Sequence, residues 1–144
     1  MTGLHNDDEQ NVLMQLAGSK HVLLYPPRDG PLLYMNDRYD KGTVCCSADP
    51  LAPDAMQRWP LLRQATRWEV TLQPGEQLFI PRYWWHRVAC VSESVSVNAF
   101  GSTALELVRE GAVRSVMDLA HQLGWWRGNC VCCDDESGVA TLKR

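Results

Sequence analysis

Between Trp68 and Phe100 the chain reads as a succession of short strands divided by turn residues, and no other feature restricts its fold as strongly. Trp68 to Leu72 is rich in aromatic and β-branched residues, Gln73-Pro74-Gly75-Glu76 makes a turn, and Gln77 to Pro81 is a second strand. Tyr83 to Val91 and Ser92 to Phe100 follow with the same character. In the last of these, Ser94, Ser96 and Asn98 alternate with Val95, Val97 and Ala99, so polar and apolar side chains fall on opposite faces. The second half of the chain is therefore predicted to be sheet.

Upstream, 11 to 16 and 20 to 25 read as a hairpin turning at Gly18-Ser19, and Pro26-Pro27 ends it because proline donates no ladder hydrogen bond. Residues 26 to 66 carry scattered Pro, Asp and Gly with little periodicity. They are predicted to form a long excursion with short helices around 51 to 65, of a length that normally covers a site. One helix stands out. Thr103 and Glu106 have capping-box spacing, and Leu105, Val108, Ala112, Val116, Leu119 and Leu123 recur on one face, with Gly111 as a candidate kink. This stripe, extended by Trp125-Trp126, predicts packing on the sheet or on a partner chain.

At 144 residues, with 45% apolar and 22% charged side chains, the chain has the composition of one globular domain. Its 17 acidic and 14 basic residues give a net charge of -3, which excludes the broad positive footprint of a nucleic-acid binder. No apolar run is long enough to cross a bilayer, and the first residues lack the basic and apolar regions of a secretory signal. A cytoplasmic or nuclear location is expected. The six cysteines (45, 46, 90, 130, 132 and 133) do not form a secreted disulfide framework, and Cys130-Val131-Cys132-Cys133 lacks the spacing of paired zinc ligands.

The candidate chemistry begins at His5-Asn6-Asp7, where extended backbone would put an imidazole and a carboxylate on one side. A third ligand must come from elsewhere. Of the four histidines (5, 21, 86 and 121), His86 lies in the strongest strand pattern, on a face shared with Trp84, Val88 and Cys90 and opposite Trp85, Arg87 and Ala89. Asn11, Leu13 and Gln15 share the face of His5 and Asp7 if the extended backbone continues. Two imidazoles and one carboxylate describe the facial triad of non-haem Fe(II) oxygenases, which leaves coordination positions open, whereas a structural zinc site would close with four protein ligands.

The runs from Leu4 to Lys20, Leu24-Tyr25-Pro26-Pro27, Pro74 to His86 and Ser94 to Asn98 resemble, in that order, the JmjC and cupin-like Fe(II)- and 2-oxoglutarate-dependent oxygenases. The similarity is strongest to the small hydroxylase branch, which includes the asparaginyl hydroxylase that inhibits hypoxia-inducible factor and the wybutosine-pathway tRNA hydroxylase. It implies an all-β double-stranded β-helix of the jelly-roll or cupin-like kind, followed by a C-terminal helix. Such domains have strands ahead of the His-x-Asp motif, so the resemblance also implies an N-terminally incomplete barrel. The expected organisation is an oxygenase domain over 1–101, truncated at its N-terminus, a helical segment over 102–126 and a loosely structured Cys-containing tail over 127–144.

Carried over residue by residue, the resemblance implies that His5, Asp7 and His86 hold Fe(II). It implies that Lys20, helped by Thr2, binds the distal carboxylate of 2-oxoglutarate, with Asn11 and Asn98 lining the cosubstrate pocket. The implied reaction is hydroxylation of an unactivated C–H, first of a protein side chain, with release of succinate and CO2. Alternatives are a tRNA-base hydroxylase, for which Arg28, Arg38, Arg82 and Arg87 are the candidate contacts, a histone demethylase, and a catalytically silent cupin-like interaction module or fragment. The expected partners are a protein substrate and a second copy bound through the C-terminal helix, with nucleic acid disfavoured and no membrane.

Overall fold

The computed structural model describes residues 3–36 and 43–125. Its strands are β1 (His5–Asp7), β2 (Gln10–Ala17), β3 (Lys20–Tyr25), β4 (Thr43–Cys45), β5 (Trp68–Leu72), β6 (Gln77–Ile80), β7 (Trp85–Cys90) and β8 (Val95–Gly101). They form a five-stranded sheet in the order β4-β1-β7-β3-β5 and a three-stranded sheet in the order β6-β2-β8, paired antiparallel throughout. The core is an all-β jelly roll of the cupin-like kind.

Strands that follow one another through the short turns lie in opposite sheets. The expected hairpin between 11–16 and 20–25 does not form: β2 pairs with β6 and β8, whereas β3 pairs with β5 and β7. Likewise β5 and β6, and β7 and β8, part at their turns, so the second half of the chain contributes to two sheets rather than one. The turn at Gly18 is a corner between layers. Its φ is +65°, and a Cβ there would stand 1.9 Å from the Glu93 carbonyl oxygen, so only glycine fits. A register shift between Gln15 and Ala17 bends β2 toward this corner, and the Gln15 Nε2 closes it by donating to the Ala17 and Gly18 carbonyls at 2.7 and 2.9 Å.

Alternation along each strand then divides the side chains between two cores. Leu13, Val22 and Leu72 meet between the sheets. Leu23, Tyr25 and Trp85 point to the other face of the five-stranded sheet and pack against Leu33, Ala55 and Leu62 of the excursion. That excursion contains 3-10 turns at Pro27–Leu33 and Pro60–Gln64, the short helix α1 (Ala55–Arg58) and the unanticipated edge strand β4. Buried Asp29 ties its two ends together by accepting the Thr66 N–H at 2.6 Å, and the Trp85 indole donates to the Pro27 carbonyl at 3.3 Å. The excursion therefore roofs the sheet face opposite His5 and His86. The expectation that it covers the candidate site is corrected: the apolar outer residues of β3 and β7 are what needed burying.

The turn before β7 also runs longer than the sequence implied. The Trp84 N–H bonds to Pro81 and Tyr83 has a φ of +65°, so β7 starts at Trp85 rather than near Tyr83, and β8 starts at Val95 rather than at Ser92.

Helix α2 (Ala104–Gln122) belongs to a second compact unit and is described by itself. Its capping box is present: Thr103 Oγ1 accepts the Glu106 N–H at 3.3 Å, and the Glu106 carboxylate accepts the Thr103 N–H at 2.7 Å. It runs unbroken through Gly111. Its apolar stripe is exposed among the described residues, from 56% at Leu119 to 79% at Leu105. Within the described residues no helix is long and apolar enough to cross a membrane. Thr2, Arg38, Trp126 and the 127–144 segment with Cys130, Cys132 and Cys133 lie outside the described residues.

Candidate metal centre

Strand β1 presents His5 and Asp7 on one face, with Asn6 between them on the other, and its register places His5 directly opposite His86 of β7. The three side chains converge. His5 Nε2 lies 3.9 Å from Asp7 Oδ1, His86 Nε2 lies 3.6 Å from Asp7 Oδ2, and the imidazole centroids are 4.2 Å apart with the rings tilted by 57°. One ligand atom from each residue falls within 4.8 Å of the others, a separation a single metal ion can bridge.

The tautomers of both rings follow from their backbone partners. His5 Nδ1 lies 2.8 Å from the Gly3 carbonyl oxygen, and His86 Nδ1 lies 3.0 Å from that of Trp84. A carbonyl only accepts, so each Nδ1 carries a proton and each Nε2 is the ring nitrogen that faces Asp7. This orientation by backbone carbonyls is common among metal-bound histidines. Burial, together with the neighbouring His5, pushes the His86 imidazole below its usual range, against the opposing pull of the Trp84 carbonyl and of Asp7. The shift favours the neutral imidazole, the form that coordinates a metal. Two imidazole nitrogens and one carboxylate fit a divalent transition metal, and three protein ligands leave further positions open.

Those positions face a cavity of about 500 Å³ between the sheets, whose lining includes Asn11, Leu13, Lys20, Val88, Asn98 and Phe100. Every described residue expected at the site thus reaches one cavity, although by a different route from that expected. Asn11 and Leu13 share no strand with His5 and Asp7, because Asp8 and Glu9 bend the chain into the opposite sheet; they face the triad across the barrel.

Lys20 begins β3 level with Cys90, four residues beyond His86 on β7, or about 13 Å at the usual strand rise. Its ammonium crosses between the sheets and donates to Ser96 Oγ on β8. Sequence reasoning missed Ser96 as a site residue, though it shares the parity of Asn98. Asn11 is 4% exposed, and its Oδ1 has no hydrogen-bond partner among the described residues, so a buried amide is left with capacity toward the cavity. A chelating ligand with a second anionic end fits this donor set: metal ligands at one end, an ammonium at the other, and the apolar side chains of Leu13, Ile80 and Val88 between.

Residues 1–103 match the model of the cupin-like domain family. The chain belongs to that family. Among curated proteins, the cupin-like domain is similar to human HSPB1-associated protein 1, at 39% identity over 92 residues, which is 62% of this chain and 19% of that protein. It is also similar to human tRNA wybutosine-synthesizing protein 5, at 38% identity over 96 residues, or 67% of this chain and 29% of that protein. The Danio rerio tRNA wybutosine-synthesizing protein 5 is 40% identical over 96 residues, covering 67% of this chain and 28% of its own length. The matched part of the chain thus spans 19 to 29% of the length of these relatives.

Proposed function

We propose that this cupin-like domain is an Fe(II)- and 2-oxoglutarate-dependent oxygenase that hydroxylates an unactivated C–H of a protein side chain, releasing succinate and CO2. The observation that carries this reading is Lys20, a cation set well beyond the His5, Asp7 and His86 cluster but inside the same cavity. A cupin that held only a metal would have no use for it. A five-carbon dianion chelated at the metal must place its second carboxylate somewhere, and the half-buried Lys20 ammonium offers a charge-assisted hydrogen bond there.

In this reading His5 and His86 bind iron through Nε2 and Asp7 through its carboxylate. Lys20, fixed by Ser96, fixes in turn the far end of 2-oxoglutarate, with Asn11 and Asn98 beside it and Thr2 assisting. Leu13, Ile80 and Val88 keep water from the space between. Bound iron and 2-oxoglutarate together supply the oxidising power from O2, so no side chain need act as a general base. The protein's own work is binding, orientation and exclusion of water.

A protein substrate is favoured over RNA by where the candidate basic residues lie. Among the described candidates, Arg87 is buried and paired with Asp49 on the face away from the triad, Arg28 belongs to the excursion on that same side, and only Arg82 lies in the turn next to His86. Similarity to tRNA wybutosine-synthesizing protein 5 keeps the tRNA-base reading as an alternative, and a silent interaction module is the other.

The deciding experiment is anaerobic calorimetry of 2-oxoglutarate against the Fe(II)-loaded protein. A hydrogen bond to a charged group contributes about 1.5 to 3 kcal/mol, so Lys20→Met should weaken 2-oxoglutarate binding by about tenfold to over a hundredfold with Fe(II) affinity nearly unchanged. Lys20→Arg should recover only part, because the planar fork does not fit an ammonium-sized niche. Equal binding by wild type and Lys20→Met would remove Lys20 from the site. A folded, iron-loaded wild type that binds no 2-oxoglutarate would favour the silent module.

A further inference from the structure

The metal ligands sit on strands that are poorly joined to each other. Strand β1 carries two of them but meets β7, which carries the third, at the single register pair His5 and His86. Its three-pair ladder runs to β4, at the edge of the sheet. One ladder pair leaves β1 free to splay at its Asp7 end, yet the Asp7 carboxylate is held 3.6 Å from His86 Nε2.

The turn leading into β7 closes that gap. The Tyr83 N–H donates to the Asp7 carbonyl at 2.8 Å, and the Asn6 amide donates to the Tyr83 carbonyl at 3.5 Å. The Arg82 guanidinium donates to the Asp8 carbonyl twice, from Nε at 2.7 Å and from Nη2. Three consecutive residues at the exit of β1 are therefore gripped by two consecutive residues placed just ahead of His86. Tyr83 adopts a φ of +65°, a left-handed conformation that a non-glycine residue holds only when its surroundings impose it. The Arg82 guanidinium also lies over the Tyr83 ring, 5.1 Å from its centroid, which keeps the planar group aimed at Asp8.

We infer that Arg82, acting with the backbone of Tyr83, is a positioning residue for the metal centre: it grips the exit of β1 and so sets the distance of Asp7 from His86. The inference rests on the metal-binding half of the proposed function and not on 2-oxoglutarate. Arginine suits the task because its rigid fork can give two parallel N–H groups to one carbonyl, whereas lysine offers a single flexible point of contact.

The test is anaerobic titration of cobalt(II) into chelator-treated protein, followed by calorimetry, with thermal melting of the metal-free forms alongside. Arg82→Met should weaken cobalt(II) binding by about tenfold, the low end of what groups behind metal ligands contribute. Arg82→Lys should recover part of that loss, and serves as the informative variant if Arg82→Met does not fold. Arg87→Met is the control: it removes a buried arginine from β7 that faces away from the triad, bonded to Asp49 at 3.3 Å. It should lower the melting temperature and leave cobalt(II) affinity at the wild-type value. Wild-type affinity in the Arg82 variants, or an equal loss of affinity in Arg87→Met, would overturn the inference. If wild type itself takes up no cobalt(II), the metal-binding reading fails, and Arg82 loses its role with it.

Discussion

The two sheets of this domain are covered differently. The central strands of the five-stranded sheet are buried on both sides, by the opposing sheet within the barrel and by described residues of the 26–66 excursion outside it, so that Leu23, Tyr25 and Trp85 are at most 2% exposed. In the three-stranded sheet, among the described residues, Asn11, Leu13 and Gln15 of β2 are buried on the inner face, whereas Leu16, Phe79, Val95 and Val97 on the outer face are 46 to 58% exposed and inner-facing Phe100 of β8 is 52% exposed. All three candidate metal ligands stand on the first sheet, whereas Asn98 of the cavity lining and Ser96, which accepts from Lys20, stand on the second. The metal end of the cavity is thus built on the better-supported layer, and the Lys20 contact with Ser96 spans from that layer to the less-supported one.

The largest effect that could break this comparison is on stability. Leu23→Ala removes a fully buried side chain beneath the excursion and should cost about 3 kcal/mol, whereas Val97→Ala on the bare face should cost under about 1 kcal/mol. Urea unfolding of both variants measures the difference. Similar losses at the two positions would mean that the three-stranded sheet is covered in solution.

A smaller effect concerns Glu69, on the outer face of β5 at the edge of the five-stranded sheet. Hydrogen bonds from His21, at 2.6 Å, and from Arg67, at 2.5 Å, hold its carboxyl below the ordinary carboxylate range. The unfolded chain therefore takes up this proton before the folded one does. The resulting stabilisation is present above the unfolded value, near 4.3, and is lost as pH falls through the lower folded value. Comparing wild type with Glu69→Gln by thermal melting should show a gap at pH 7 that closes below about pH 4. A gap that persists unchanged at acid pH would mean that the His21 and Arg67 contacts do not depend on the charge.

The faces of the strands were legible in the sequence, and the partners of the strands were not. Period-two alternation needs only local backbone geometry, and it separated Asn11 and Leu13 from Val12, and His86 and Val88 from Arg87, as the structure has them. Pairing is a nonlocal choice. Gly18-Ser19 and Pro74-Gly75 serve a corner between sheets as well as a hairpin, so the turn residues gave no sign that successive strands belong to opposite layers. The same limit hid Ser96, whose importance comes from Lys20 reaching it across the barrel, and Arg82, whose partner is a backbone carbonyl far away in sequence. The triad could be assembled because two of its members lie two residues apart and the third occupies the strongest strand pattern.

The central claim is that His5, Asp7 and His86 hold Fe(II) with open positions that 2-oxoglutarate can chelate. It is tested most directly by adding Fe(II) and then 2-oxoglutarate to the protein without oxygen and recording the visible metal-to-2-oxoglutarate absorption band. Wild type should develop the band, and Asp7→Ala and His86→Ala, shown to be folded by circular dichroism, should not. A band of wild-type strength and affinity in both variants would contradict the account.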